Sequence, residues 1–140
     1  MYTMKTKIKI TTLVNASKEK VWRYWTEPKH IIKWNNASED WHTPKAENDF
    51  TVGGKFVYTM ASKDGSMSFD FGGTYNEIET NEKIVYTIDD NRIVEILFES
   101  TDNQIKITET FEAETQNPIE MQQTGWQAIL DNFKNYTENN

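Results

Sequence analysis

The sequence has 140 residues, enough for one domain with a sizeable core, and its 13% aromatic content, including five Trp, argues against a disordered chain. Its formal net charge is -7, with 15 Lys and Arg against 22 Asp and Glu, so it lacks the basic face that nucleic acid or an anionic membrane surface requires. It has no cysteine, which excludes disulfides, thiolate metal sites and cysteine nucleophiles, and no signal segment or apolar run of transmembrane length, so a soluble cytoplasmic protein is expected.

Residues 7 to 14, KIKITTLV, are β-branched and partly alternating, the pattern of a strand. Ser17 offers an N-cap for a helix over KEKVWRYWTE, which puts Val21, Trp22 and Trp25 on one face; Lys20 stands where a capping box has Glu. Pro28 ends that helix and opens a second, PKHIIKW. Residues 35 to 50, NNASEDWHTPKAENDF, lack periodicity and read as a long loop holding Trp41 and His42. Gly53-Gly54 lacks the Lys-Ser/Thr of a phosphate-binding loop and reads as a turn.

From residue 51 to 113 the pattern is an antiparallel meander. GKFVYTMA alternates Phe56, Tyr58 and Met60, and Lys63-Asp64-Gly65 is a hairpin signal because Gly accepts positive φ. MSFDFGGTYNEI alternates Met67, Phe69 and Phe71, then Tyr75, and Gly72-Gly73 inside it marks a bulge or a close approach. Turns at 80 to 82, 89 to 91 and 101 to 103 introduce KIVYTI, RIVEILFES and QIKITETFEA. Pro118 opens the last helix, on which Ile119, Gln122, Trp126, Ile129, Leu130, Phe133 and Tyr136 share one face at about 100° per residue. Residues 137 to 140 read as a frayed tail. The order predicts an α+β fold: a curved antiparallel sheet whose concave face is covered by the last helix.

Several segments also resemble one family. Residues 8 to 34, with NASKEKVW and Trp34, are similar to its opening strand and Ala-x-x-x-x-Val-Trp region. TVGGKFVY resembles its second-strand signature. GGTYNEIETNEKIVYT resembles its Gly-x-Tyr-x-Glu-Ile-x-Pro-x-x-Lys-Ile-Val-Tyr stretch, with Thr80 in place of the usual Pro. ITETFEAE and GWQAILDNFKNYTE resemble its ending. The family is that of activators of heat shock protein 90 ATPase homologues, within the START-like (SRPBCC, birch-pollen-allergen-like) superfamily. The resemblance implies a helix-grip fold over residues 1 to 140, with six or seven strands around the long helix and a hydrophobic cavity between them. The eukaryotic co-chaperone members carry an additional N-terminal domain that this sequence lacks, so chaperone activation does not carry over directly.

Trp126, Ile129 and Phe133 then either fill an ordinary core or wall a cavity, and Phe56, Tyr58, Phe69, Phe71, Tyr75 and Tyr86 pose the same choice from the sheet side. Gln122 either reaches solvent near the helix start or lends a hydrogen-bonding group to the pocket mouth. Trp41 either closes over the pocket or plugs against the core. If the loop 101 to 103 holds three residues, Glu95 opposes Glu109 on the face of Ile105, Ile107 and Phe111, and a carboxylate pair inside a pocket is how acid/base pairs are made. The alternatives are a solvated outward pair, or a two-residue loop that sets Glu95 against Thr108. Val94, Ile96 and Phe98 occupy the other face of the same strand, so its inward side is open. His30 and His42 show no metal-ligand spacing, and neither a metal nor a cofactor is expected. Asn15, Asn36 and Asn135 begin glycosylation sequons that chance explains without a secretion signal.

Three functions follow in order. The first is a binding domain for a small hydrophobic or amphipathic molecule, acting as a monomer, with Trp41, Tyr58, Phe69, Phe71, Tyr75, Tyr86, Glu109, Gln122, Trp126, Ile129 and Phe133 as the contact residues. The second is a protein-interaction domain, such as a chaperone helper, whose acidic surface meets a basic partner. The third is a cyclase- or aromatase-like enzyme using carboxylates in the cavity, and no catalytic residue is assigned.

Overall fold

Alternation builds the first strand, β1 (Lys7–Val14): Ile8, Ile10 and Val14 are buried while Lys7 and Lys9 face water. The computed structural model describes residues 6–140. Helix α1 (Lys18–Thr26) starts where the Ser17 hydroxyl accepts from the Lys20 amide at 3.2 Å. It stops at Glu27 because Pro28 disfavours helical geometry in the residue before it, and the same proline opens α2 (Pro28–Trp34).

Six further strands follow: β2 (Trp41–Asn48), β3 (Lys55–Ser62), β4 (Ser68–Glu79), β5 (Lys83–Ile88), β6 (Ile93–Thr101) and β7 (Gln104–Glu112). With β1 they form one antiparallel sheet in the order β1-β7-β6-β5-β4-β3-β2, curved into a half-barrel. Helix α3 (Ile119–Asn139) lies along its concave side. The inward face carries Ile8 and Ile10 from β1, Phe56 from β3, Tyr75 from β4, Ile84 and Tyr86 from β5, Val94, Ile96 and Phe98 from β6, and Ile105, Ile107 and Phe111 from β7. The double glycine in β4 makes room for neighbours: a Cβ on Gly73 would stand 2.5 Å from the Thr87 carbonyl oxygen and 3.0 Å from the Phe56 ring. The bulge itself falls two residues later, between Tyr75 and Glu77.

Several expectations are corrected. The supposed long loop over 35 to 50 contains β2, an edge strand paired only with β3. Its inward positions include Thr43, 2% exposed and bonded to Asn35, and Pro44 sits at a register shift between His42 and Lys45. A polar inward residue and a bulge erase the alternation that marks a strand, and edges tolerate proline. Of the two loop lengths weighed before β7 the two-residue one holds, with a different register: Thr101 pairs with Gln104, while Asp102 and Asn103 both take positive φ. Glu95 therefore opposes Thr110, neither Glu109 nor Thr108, and Glu109 opposes Ile96. A one-residue slip exchanges the faces, so Val94, Ile96 and Phe98 point inward and Glu95 outward, beside Lys83 at 3.9 Å. Finally, residues 137 to 139 continue α3 rather than fraying. Thr137 is fully buried, Glu138 accepts from the Asn15 amide at 2.7 Å, and Tyr24 donates to the Asn140 carbonyl at 3.0 Å. At the other end of the helix Ile119 is 41% exposed and leaves the apolar face.

Candidate functional site

Helix α3 meets the sheet in two different ways. Its C-terminal half is packed shut: Phe133 is fully buried, with its ring edge-on to Trp25 and Trp34 at 4.8 and 4.9 Å between centroids. Its N-terminal half stands off the sheet and leaves a cavity of about 340 Å³. From α3 come Gly125, Trp126, Ile129 and Leu130. From the sheet come Phe56, Tyr58 and Met60 on β3, Phe69, Phe71 and Tyr75 on β4, Ile84 and Tyr86 on β5, and Glu109 on β7. Trp25, Trp34, Asn35 and Ala37 close one side and Arg92 another. Phe69 is 50% exposed, so the space reaches solvent there.

The rings hold one another in place. Trp126 stacks flat on Phe111 at 3.8 Å and meets Phe71 edge-on at 6.0 Å. Phe56 meets Tyr86 edge-on at 4.8 Å. Offset and edge contacts of this kind fix ring orientation in addition to burying area. Polar atoms are few. Tyr75 donates to Asn48 Oδ1 at 2.7 Å, and Asn48 Nδ2 donates to the Thr26 carbonyl at 2.7 Å. The Tyr58 hydroxyl leans on that of Tyr75; burial holds the Tyr58 pKa well above its ordinary value and pushes that of Tyr75 up to about 12. Burial, reinforced by the nearby Glu109 carboxyl, raises Tyr86 as well. Arg92 is tied down at the rim, its Nε 2.9 Å from Asp90 Oδ2 and its Nη1 donating to the Glu112 carbonyl at 3.3 Å.

Glu109 differs from all of these. It is 6% exposed and lines the cavity, it makes no hydrogen bond or ion pair among the described residues, and its carboxyl oxygens keep contact with the cavity space instead of being sealed in protein. Removal from water alone pushes its carboxyl up to about 8, so the group is mostly neutral at pH 7.

Of the residues expected at the site, Tyr58, Phe69, Phe71, Tyr75, Tyr86, Glu109, Trp126 and Ile129 line this space. Phe133, Gln122 and Trp41 do not. Phe133 belongs to the closed half. Gln122 is 8% exposed and braces the segment before α3: its Oε1 accepts from the Glu114 amide at 2.9 Å, and its Nε2 donates to the carbonyls of Glu114 and Asn117. Neither expected role for it, solvent contact or pocket mouth, describes that. Trp41 heads β2 and leans its ring on Phe69 at 5.8 Å from outside the lining. His42 is exposed. His30 is not part of the cavity lining; it is stacked on Tyr24 at 3.8 Å with its Nδ1 2.8 Å from the Tyr136 hydroxyl, and burial lowers its pKa against the pull of Glu27. The proposed carboxylate pair is dissolved, since Glu95 faces the other side of the sheet.

Sequence reasoning missed Trp25, Trp34 and Arg92. The apolar face of α1 was a legible signal for Trp25. Nothing local indicates that α1 and α2 close the end of a space made by the sheet and α3, or that Arg92 reaches its rim. Among the described residues there is no cluster of three or more His, Cys, Asp or Glu able to hold a metal ion, and no helix is long and apolar enough to cross a membrane.

The family described as "Activator of Hsp90 ATPase homolog 1-like protein" matches residues 15–138. Among solved structures, the chain is similar to an AHSA1-like protein from Aeromonas hydrophila at 44% identity and a TM-score of 0.91, covering 96% of this chain and 93% of that one. A protein from Cytophaga hutchinsonii is 56% identical with a TM-score of 0.83, covering 95% and 92%. The Aha1 dimer from Colwellia psychrerythraea shares the fold at 16% identity and a TM-score of 0.75, covering 95% and 96%. No curated protein matches the sequence. The match over most of the chain, together with the half-barrel and its covering helix, establishes that this chain belongs to the activator of Hsp90 ATPase homolog 1-like family.

Proposed function

We propose that this chain is a binding domain for one small hydrophobic or amphipathic molecule, held between the sheet and the N-terminal half of α3. The observation that carries the reading is the cavity of about 340 Å³, walled by aromatic rings and furnished with few polar groups. Small-molecule sites have this size and this character: apolar area supplies affinity and a few polar groups supply orientation. The rings already brace one another, so little ordering cost remains for the ligand to offset.

The five tryptophans provide the test. Trp25, Trp34 and Trp126 line the cavity, whereas Trp22 and Trp41 do not. A two-dimensional NMR titration of delipidated protein with fatty acids, flavonoids and polyketide-like aromatics is expected to give saturable shifts at the first three indole signals and to leave the other two nearly still. If no compound moves the lining indoles, the binding reading fails. The family's chaperone-helper description then becomes the reading to pursue, by pull-down with a chaperone.

A further inference from the structure

We propose that the molecule this cavity accepts is a hydrophobic amine, an aromatic or alkyl body carrying a protonated nitrogen that pairs with Glu109. The inference rests on the binding reading above and narrows it to a ligand class.

Glu109 is the reason. A carboxyl held this far from bulk water costs free energy unless something in the cavity meets it. Its surroundings in the protein do not: it pairs across the sheet with Ile10 on β1 and Ile96 on β6. From α3 the cavity receives Gly125, Trp126, Ile129 and Leu130, none of which ionises. The titratable groups that share the cavity are Tyr58, Tyr75, Tyr86 and Arg92. Tyr75 spends its proton on Asn48, and the Arg92 charge is met by Asp90.

The rest of the lining favours a cation over the alternatives. The flat faces of Trp, Tyr and Phe attract a cation once it is desolvated, and the cavity presents Trp25, Trp34, Tyr58, Tyr86 and Trp126. The overall charge of -7 raises the local concentration of cationic ligands. A carboxylate ligand would meet Glu109 as a like group and find only an Arg92 already engaged. A purely apolar ligand would leave Glu109 unpaired.

Proton balance makes the idea testable. Burial holds the empty-state carboxyl up to about 8. Pairing with an ammonium below that pH therefore releases one proton from Glu109 to solvent, and affinity rises as pH approaches that value. It falls again only where the amine itself loses its proton. A neutral ligand that accepts a hydrogen bond from protonated Glu109 shows the opposite slope.

The experiment is calorimetric titration of the full chain with naphthylmethylamine, naphthylmethanol and naphthoate, which share one aromatic body. The amine is expected to bind at least about tenfold tighter than the alcohol or the acid near pH 8, a difference of about 1.4 kcal/mol. Its affinity should rise roughly tenfold or more from about pH 6 to about pH 8, with proton release read from buffers of different ionisation heat. Glu109→Gln, close in shape and uncharged, should lower amine affinity at least about tenfold, flatten its pH slope and remove the amine's advantage over the alcohol. If the alcohol binds as tightly as the amine, or if affinity falls with pH in the unaltered protein, the amine inference is overturned while the binding reading stands. Binding by none of the three also overturns it, and if the wider panel leaves Trp25, Trp34 and Trp126 unmoved the binding reading falls with it.

Discussion

The two halves of α3 rest on the same sheet and reach opposite solutions. At the C-terminal half, Phe133 meets Trp25 and Trp34, Trp22 and Trp25 cover Phe98, and no space remains. At the N-terminal half, Trp126 is held against Phe111, Ile129, Tyr58 and Tyr86 line the gap, and on β7 a carboxyl stands where the alternation of Ile105, Ile107 and Phe111 calls for an apolar side chain. What separates them is α1 and α2, whose Trp25 and Trp34 rings pack directly on Phe133 but border the cavity on one side only. An apolar helical face thus has no single meaning: the same periodic stripe is core where a third layer supplies side chains and cavity wall where it does not.

That contrast can be broken or sharpened by substitution. The largest expected effect is Phe133→Ala, which opens a void in the closed half and should cost about 3–5 kcal/mol in urea denaturation. A loss near 1 kcal/mol would mean that this half is not tightly packed either. Glu109→Gln should act with the opposite sign and depend on pH. The folded carboxyl sits up at about 8 against an ordinary 4.5, so folding takes up a proton between those values and stability falls as pH rises through them. The variant escapes that loss: it should match the unaltered protein below about pH 4.5 and exceed it by on the order of 3 kcal/mol at neutrality. Melting curves that stay parallel across this range would show that the carboxyl is solvated. Ile129→Ala removes contacts on one side only and is expected to cost about 1–2 kcal/mol, well below the loss at Phe133. A loss as large as that at Phe133 would erase the contrast between the two halves. Gly125→Ala is the smallest change. A Cβ there meets nothing within 4 Å, so helix propensity should raise stability by about 0.5–1 kcal/mol, while the methyl group slightly narrows the cavity. Thermal melts with and without a bound ligand would separate those two effects.

Much of the fold was legible. The alternation of β1 and β3 to β7, the Ser17 cap, the Pro28 junction and the face of α3 are local patterns with local causes, and segments resembling the family span nearly the whole chain. β2 was not legible, because an edge strand pairs on one side only, carries a proline at its bulge and buries a threonine where alternation calls for an apolar residue. The site was legible in kind but not in membership. Glu109 was identifiable by its place among Ile105, Ile107 and Phe111, yet the partner assigned to it was wrong, because the tight turn at Asp102-Asn103 shortens the loop by one residue and sends Glu95 to the other face.

Sequence alone determined the elements, their order and which faces are apolar, since those depend on periodicities of two and about 3.6 residues and on turn and cap chemistry within a few positions. Tertiary structure alone decided whether each apolar face closes or leaves a void. That outcome depends on the distance between α3 and the sheet. The distance is set by ring volumes contributed from α1, α2 and several strands far apart in the chain, a sum over non-local neighbours that no single segment contains.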